Sequence, residues 1–139
     1  MAFDAIIIGS GPNGLAAGIR LAQEGLSVKI YEKADTIGGG TRTKELTQPG
    51  FHHDICSAIH PLAKASPYLK TLPLGDFGLE WIEPEVPVAH PLDDQSAGVL
   101  LPSLEDTVAH FGRDGKHYRQ IVTPFLDSWD QLLTDLLGP

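Results

Sequence analysis

The sequence holds one cysteine, Cys56, among 139 residues. A single thiol cannot close an internal disulfide, and neither a cysteine zinc cluster nor an iron–sulfur centre can be built from it. A reducing compartment, the cytoplasm, is therefore the expected setting. Basic residues are also scarce: 10 Lys and Arg against 18 Asp and Glu give a net charge of −8, and no block of Lys or Arg could neutralise a run of phosphates. Nucleic acid is not an expected partner. Long apolar runs are missing, since nothing approaches the roughly 20 apolar residues of a membrane span. The opening residues do not read as a signal sequence either, with Asp4, no basic lead and an apolar run only from Ala5 to Ile8. No internal repeat or low-complexity segment is present. With 42% hydrophobic and 20% charged residues, the chain is expected to be globular and to bury a core of its own.

What is present begins with periodicity. Phe3 to Ile8 is short, β-branched and ended by Gly9, the pattern of a strand buried on both faces. From Pro12 the period changes: Leu15, Ile19 and Ala22 follow helical spacing while Arg20, Gln23 and Glu24 take the other side. Gly25 stands where a left-handed cap would end the helix, and Ser27 to Tyr31 returns to a strand. Strand, helix and strand in about 30 residues predict a right-handed βαβ unit with two neighbouring parallel strands. Further on, short strands are expected at Leu79 to Ile82 and Val99 to Leu101, with "LDDQSAG" as a hairpin turn between them. Ser103 followed by Glu105 and Asp106 resembles a capping box, which predicts a helix to about Phe111. A longer helix is expected from about Asp114, kinked at Pro124. Its apolar residues from Tyr118 to Leu137 recur at three and four, a stripe read first as core-facing.

Gly9, Gly11 and Gly14 fall where the first strand meets the first helix. A helix start offers several N–H donors and the positive end of its dipole to a phosphate, provided side chains do not obstruct it. Gly9 permits a sharp turn off the strand, Gly11 a close approach of pyrophosphate to backbone, and Gly14 close packing of helix on sheet. Gly18, one turn later, extends that packing. G-x-G-x-x-G alone is a weak signal. Here it follows a predicted strand, opens a predicted helix and leads to an acid, Glu32, 18 positions after Gly14 at the tip of the second strand. A carboxylate there can accept ribose hydroxyls and would repel a 2′-phosphate, which points to FAD or NAD over NADP. A nucleoside-triphosphate P-loop is excluded because Leu15 and Ala16 stand where Lys and Ser or Thr are required.

A second glycine run, Gly38-Gly39-Gly40, follows Glu32 after a short spacer. "EKADTIGGGTRT" and "GFHHD" resemble segments of the FAD-binding superfamily that contains amine oxidases and carotenoid desaturases, and "GSGPNGLAAGIRLA", "GGGTRT" and "PGFHHDICSAIHPLA" are similar to the opening of phytoene dehydrogenase-like FAD oxidoreductases. The resemblance implies an α/β fold: a Rossmann-like FAD/NAD(P)-binding βαβ unit with the incomplete start of a substrate domain. It implies an N-terminal part of the FAD-binding domain over residues 1–62 and a partial substrate or interdomain region over 63–139. The implied cofactor is FAD, flanked by Gly9, Gly11, Pro12, Asn13, Gly14, Glu32, Lys33, Gly38, Gly39, Gly40, Thr41 and Arg42. Many relatives carry Arg directly after the Gly-Gly pair, where Gly40 stands here; Arg42 is the substitute for a phosphate contact, or else a solvated surface charge.

The implied activity is hydride transfer from a substrate C–H bond to flavin, on a small and hydrophobic substrate, with no residue nameable as a catalytic base. An apolar helix such as Tyr118 to Leu137 could line a hydrophobic pocket or meet a membrane surface, although the acidic charge disfavours an anionic bilayer. Family members that oxidise substrates are several times longer, so the chain reads as an amino-terminal piece, by itself inactive. A non-catalytic adenine-dinucleotide module and an NAD-dependent dehydrogenase fragment remain alternatives. His52, His53, Asp54 and His60 suggest a metal site by residue type, but adjacent histidines on an extended segment point to opposite faces, so none is expected. Cys56 is read as a small buried hydrophobe.

Overall fold

In the computed structural model, which describes residues 2–138, Ala5–Ile8 form strand β1 and Val28–Tyr31 form β2. They pair in parallel, from Ala5 opposite Val28 to Ile8 opposite Tyr31, and helix α1 (Pro12–Gln23) connects them. Pro12 at the first helical position suits a site where a backbone N–H has no acceptor. At the other end Gly25, at φ +84°, donates its N–H to the Ala22 carbonyl at 3.0 Å while Leu26 reaches the Leu21 carbonyl at 3.2 Å, the paired closure that a left-handed glycine makes available. The start of the strand pair is pinned by Asp4, whose Oδ2 accepts from the Ser27 N–H at 2.9 Å and the Ser27 hydroxyl at 2.6 Å. Those Ser27 donors, the hydroxyl foremost, hold the Asp4 carboxyl below its ordinary range.

The chain divides into two units, Met1–Ala63 and Lys64–Pro139. In the first, α1 lies on the face of the sheet that carries Ile7 and Ile30: a Cβ at Gly18 would meet Ile30 Cδ1 at 2.9 Å and Ile7 Cδ1 at 3.5 Å. The expectation that β1 is buried on both faces is not met. Its burial alternates, with Ile6 59% and Ile8 81% exposed, because this sheet has two strands and one helix covers one face only. On the open face the Lys29 ammonium sits 5.4 Å from the Phe3 ring and 5.2 Å from the Tyr31 ring. The expectation of a self-sufficient core is corrected for the same reason: among the described residues the buried apolar side chains are Leu72 and Leu133. After β2 a 3₁₀ turn spans Gly39–Thr41, and β3 (Thr43–Glu45) pairs antiparallel with β4 (His52–Asp54). Helix α2 (Pro61–Ala65) follows.

In the second unit β5 (Val88–Pro91) and β6 (Ala97–Leu100) form an antiparallel hairpin. The expected turn is there, with the Leu92 N–H donating to the Ser96 carbonyl at 2.9 Å. The expected strand at Leu79 to Ile82 is not; its place is taken by Val88–Pro91, which flank the turn directly, whereas Pro84 and Pro87 separate the earlier run from it. Helix α3 (Leu104–His110) begins as expected at Ser103, whose hydroxyl accepts from the Asp106 N–H at 3.0 Å. Buried Thr107 ties this helix to the hairpin: its Oγ1 accepts from the Leu101 N–H at 2.9 Å and donates to the Leu101 and Ser103 carbonyls. The long helix is in fact two, α4 (Gly115–Asp127) and α5 (Trp129–Leu137). The break falls at Ser128, one turn beyond Pro124, where the Ser128 hydroxyl takes the Pro124 carbonyl at 2.7 Å and leaves the backbone N–H a long 3.3 Å bond to it. The core-facing reading of the stripe fails for Ile121, Phe125, Leu126, Trp129, Leu136 and Leu137, all of which are exposed; Leu133 is the buried member.

Candidate functional site

The parallel register decides what stands beside the glycine loop. With Ile8 opposite Tyr31, the next step along both strands brings Gly9 to Glu32, and the Gly9 N–H donates to the Tyr31 carbonyl at 2.7 Å. The chain then turns off the sheet into α1. A Cβ on Gly14 would lie 2.2 Å from the Gly9 carbonyl oxygen, so no other residue lets the helix start so close to the strand end. Gly11 caps α1 without any side-chain hydrogen bond, and the first turn holds no acid. The amides of Asn13 and Gly14 lack intrahelical acceptors by the geometry of any helix start, and the dipole favours an anion there. Pro12 and Asn13 are exposed at this rim.

The second glycine run folds onto the first. The Gly38 N–H donates to the Ser10 carbonyl at 2.9 Å, and Gly39, at φ +57°, lies so near that a Cβ on it would sit 2.8 Å from Gly11 Cα. The loop is completed by Thr41, whose hydroxyl donates to the Gly38 carbonyl at 2.7 Å. Arg42 folds back, its Nε donating to the Gly39 carbonyl at 2.7 Å, which leaves the two terminal amino groups of the guanidinium for other acceptors. The segment after β4 runs alongside, with the Ile55 N–H on the Arg42 carbonyl and the Ser57 N–H on the Gly40 carbonyl, both at 2.9 Å. This brings Cys56 against Gly40, where a Cβ would be 3.7 Å from its Sγ. Cys56 is exposed, not the buried hydrophobe expected.

Glu32 is half-buried at the tip of β2. Its Oε2 accepts from both the N–H and the hydroxyl of Ser10 at 2.7 Å, and its Oε1 accepts from the Ala34 N–H at 2.9 Å. The Ala34 amide first, then the Ser10 hydroxyl and amide, hold its carboxyl down to about 2, so the group is anionic throughout the neutral range. Lys33 is exposed next to it. The structure thus gathers Gly9, Gly11, Gly14, Glu32 and Gly38 to Arg42 around one helix start, with Pro12, Asn13 and Lys33 at its margin. Ser10 was not among the candidates read from the sequence. Its signal was a hydroxyl between two glycines, one strand away from an acid.

The histidines lie elsewhere. On β4 His53 Nε2 bonds the Thr47 hydroxyl at 2.8 Å, His52 Nε2 stands 3.8 Å from Glu45, and Asp54 accepts from the Thr43 hydroxyl at 2.7 Å. His60 is tied to Ser57 at 3.3 Å.

A parallel βαβ unit whose glycine loop opens the helix, with an acid at the second strand's tip, is a Rossmann-like arrangement. Residues 7–72 match the family model described as an NAD(P)-binding Rossmann-like domain. One of the polypeptides of limonene dehydrogenase from Castellaniella defragrans is 29% identical over 134 residues, 94% of this chain and 24% of that protein. The 4,4′-diapophytoene desaturase (4,4′-diaponeurosporene-forming) of Staphylococcus aureus is 43% identical over 53 residues, 38% of this chain and 10% of that one. Among solved structures, wild-type putrescine oxidase bound to putrescine superposes with a TM-score of 0.50 at 27% identity, over 80% of this chain and 26% of that chain. The relatives are oxidoreductases, a carotenoid desaturase and an amine oxidase among them, as the sequence resemblance implied. The chain spans about a quarter or less of the length of these relatives. No helix among the described residues is long and apolar enough to cross a membrane.

Proposed function

We propose that this chain holds the adenosine diphosphate half of FAD and serves a flavin-dependent dehydrogenase or desaturase-like reaction on a small hydrophobic substrate. The observation that carries the reading is the joining of the two glycine runs: Gly39 rests on Gly11 and Gly38 on Ser10, so the residues after Glu32 become a wall of the same loop. A nicotinamide site built on the first glycine loop alone has no need of that wall. In this reading the amides at Gly11, Asn13 and Gly14 receive the pyrophosphate, the Arg42 guanidinium adds a positive charge at its flank, and Glu32 accepts from the ribose. Lys33, Gly40 and Thr41 border the cofactor. The residues fit the group: the helix start is bare of side-chain caps and acids, and the acid beside it is ionised. Bound there, FAD would supply the redox chemistry, accepting a hydride from a substrate carbon. This chain's residues position the dinucleotide and exclude an added 2′-phosphate. The exposed thiol of Cys56 supports a reducing, cytoplasmic setting.

The test is uptake of FAD by the purified chain, read by flavin absorbance and by Tm. Saturating FAD at about a hundredfold over Kd stabilises by about 2.7 kcal/mol, and ADP competes for the site. Stabilisation by NAD and not by FAD would replace this reading with the nicotinamide one; a chain stabilised by ADP but by neither full cofactor would be a non-catalytic adenine-nucleotide module.

A further inference from the structure

Ser10 is 1% exposed, yet its side chain is directed not into an apolar core but onto a carboxylate on the neighbouring strand. Its hydroxyl and its amide both donate to one oxygen of Glu32, Oε2, at 2.7 Å, across 22 positions of sequence. The other oxygen, Oε1, takes the Ala34 N–H. A carboxylate held from both sides in this way cannot rotate freely, and Oε2, with two donors, has its acceptor capacity filled. Oε1 takes a single hydrogen bond of good geometry, from Ala34, beside a weaker contribution to the carboxylate from the Lys33 amide, and retains room for another donor. The same serine offers its carbonyl to the Gly38 N–H at 2.9 Å, so one residue ties the first glycine loop, the acid and the second glycine run.

We propose that Ser10 is the positioning residue of the adenosine site: by occupying Oε2 of Glu32 it fixes the carboxylate with Oε1 presented to a ribose hydroxyl, and so sets the preference for an unphosphorylated ribose. The proposal rests on the dinucleotide reading of the site for its ligand, though not for its geometry. No charged side chain accounts for the acidity of Glu32, whose donors are the Ala34 amide, Ser10 and, least, the Lys33 amide. Among the described residues neither Lys33 nor Arg42 forms an ion pair with it. The hold on this group is therefore a matter of hydrogen bonds, and removing a hydroxyl should change it.

The experiment compares the wild type with Ser10→Ala and, as a near-isosteric weak donor, Ser10→Cys. Two readouts are taken: the carboxyl ¹³C shift of Glu32 between pH 3.5 and 6, and calorimetric binding of ADP-ribose and 2′-phospho-ADP-ribose. In the wild type the Glu32 signal should stay flat across that range. In Ser10→Ala, where the Ala34 amide and the backbone amide at position 10 still hold the carboxylate, its titration should begin at higher pH than in the wild type, with Ser10→Cys between the two, and ADP-ribose should bind about three- to tenfold more weakly, the worth of one ordinary hydrogen bond. The preference over the 2′-phosphorylated ligand should fall in the same order. A Glu32 titration and a ligand preference unmoved in folded Ser10→Ala or Ser10→Cys overturn the role of Ser10 while leaving the nucleotide site intact. A wild type that binds neither ligand overturns the dinucleotide reading and the proposal with it, and the titration then shows whether the Ser10 clamp on Glu32 exists regardless.

Discussion

Replacing Gly14 by Ala tests the architecture of the loop more sharply than any change of a charged residue, because two opposed effects of known size meet there. Gly14 lies in α1, and Ala is better than Gly in a helix by about 1 kcal/mol. If nothing crowded the position, the variant would be the more stable protein. Its Cβ, however, would stand 2.2 Å from the carbonyl oxygen of Gly9, against the 3.4 Å at which ordinary contact begins. The obstacle is backbone, so the helix start must move by about 1.2 Å or the strand end must yield. Overpacking of this kind costs about 1–3 kcal/mol, and with a rigid neighbour the upper figure applies, for a net destabilisation of about 2 kcal/mol after the helix propensity is counted. Gly18→Ala supplies the control: the propensity gain is the same, but the closest atom is Cδ1 of Ile30 at 2.9 Å, the free end of a side chain that can turn aside, so that variant should be neutral or up to about 1 kcal/mol more stable. Urea unfolding followed at the amide signals of Ile7 and Ile30 measures both. In Gly14→Ala the displaced helix start should also lose ADP binding. A Gly14→Ala protein as stable as Gly18→Ala, or one that still binds ADP like the wild type, would refute the close approach on which the site is built.

Glu32→Gln should change the acid limb of stability. The folded carboxyl sits at about 2 against an ordinary 4.5, so its contribution is complete above about 4.5 and is lost as pH falls from there toward 2. The difference in urea midpoint between wild type and variant should therefore shrink on acidification from pH 5.5 to 3, and a constant difference would contradict the hydrogen bonds from Ala34 and Ser10. Arg42→Ala should weaken ADP binding about fivefold or more if the guanidinium meets a phosphate, with Arg42→Lys losing less and the loss diminishing at high salt; equal affinity for all three in calorimetry would make Arg42 a surface charge braced on the Gly39 carbonyl. In the second unit Thr107→Val, which leaves the Leu101 N–H without its acceptor, should cost about 1–3 kcal/mol, read from the fluorescence of Trp81 and Trp129 during unfolding.

The sequence by itself determined the βαβ unit, because each part of it is written locally. Three isoleucines ended by a glycine, a helical stripe begun by Pro12 and closed by Gly25, and a second short strand before an acid need no distant contact to be read. The same holds for the helix that Ser103 caps, and for the turn between β5 and β6. Periods of two and 3.6 and the chemistry of caps are properties of neighbouring residues, and the glycine spacing made the helix start recognisable as an anion cradle.

Tertiary structure alone decided what meets that cradle. Register placed Ser10 against Glu32 over 22 positions, and Gly39 settled on Gly11 over 28; neither pairing leaves a periodic mark. It also decided which apolar residues are covered. Ile6 and Ile8 on β1 and the stripe through Ile121, Phe125 and Leu136 obey the same hydrophobic patterns as buried faces, yet they are exposed, because a pattern states that a face can be buried while burial requires a second layer to lie on it.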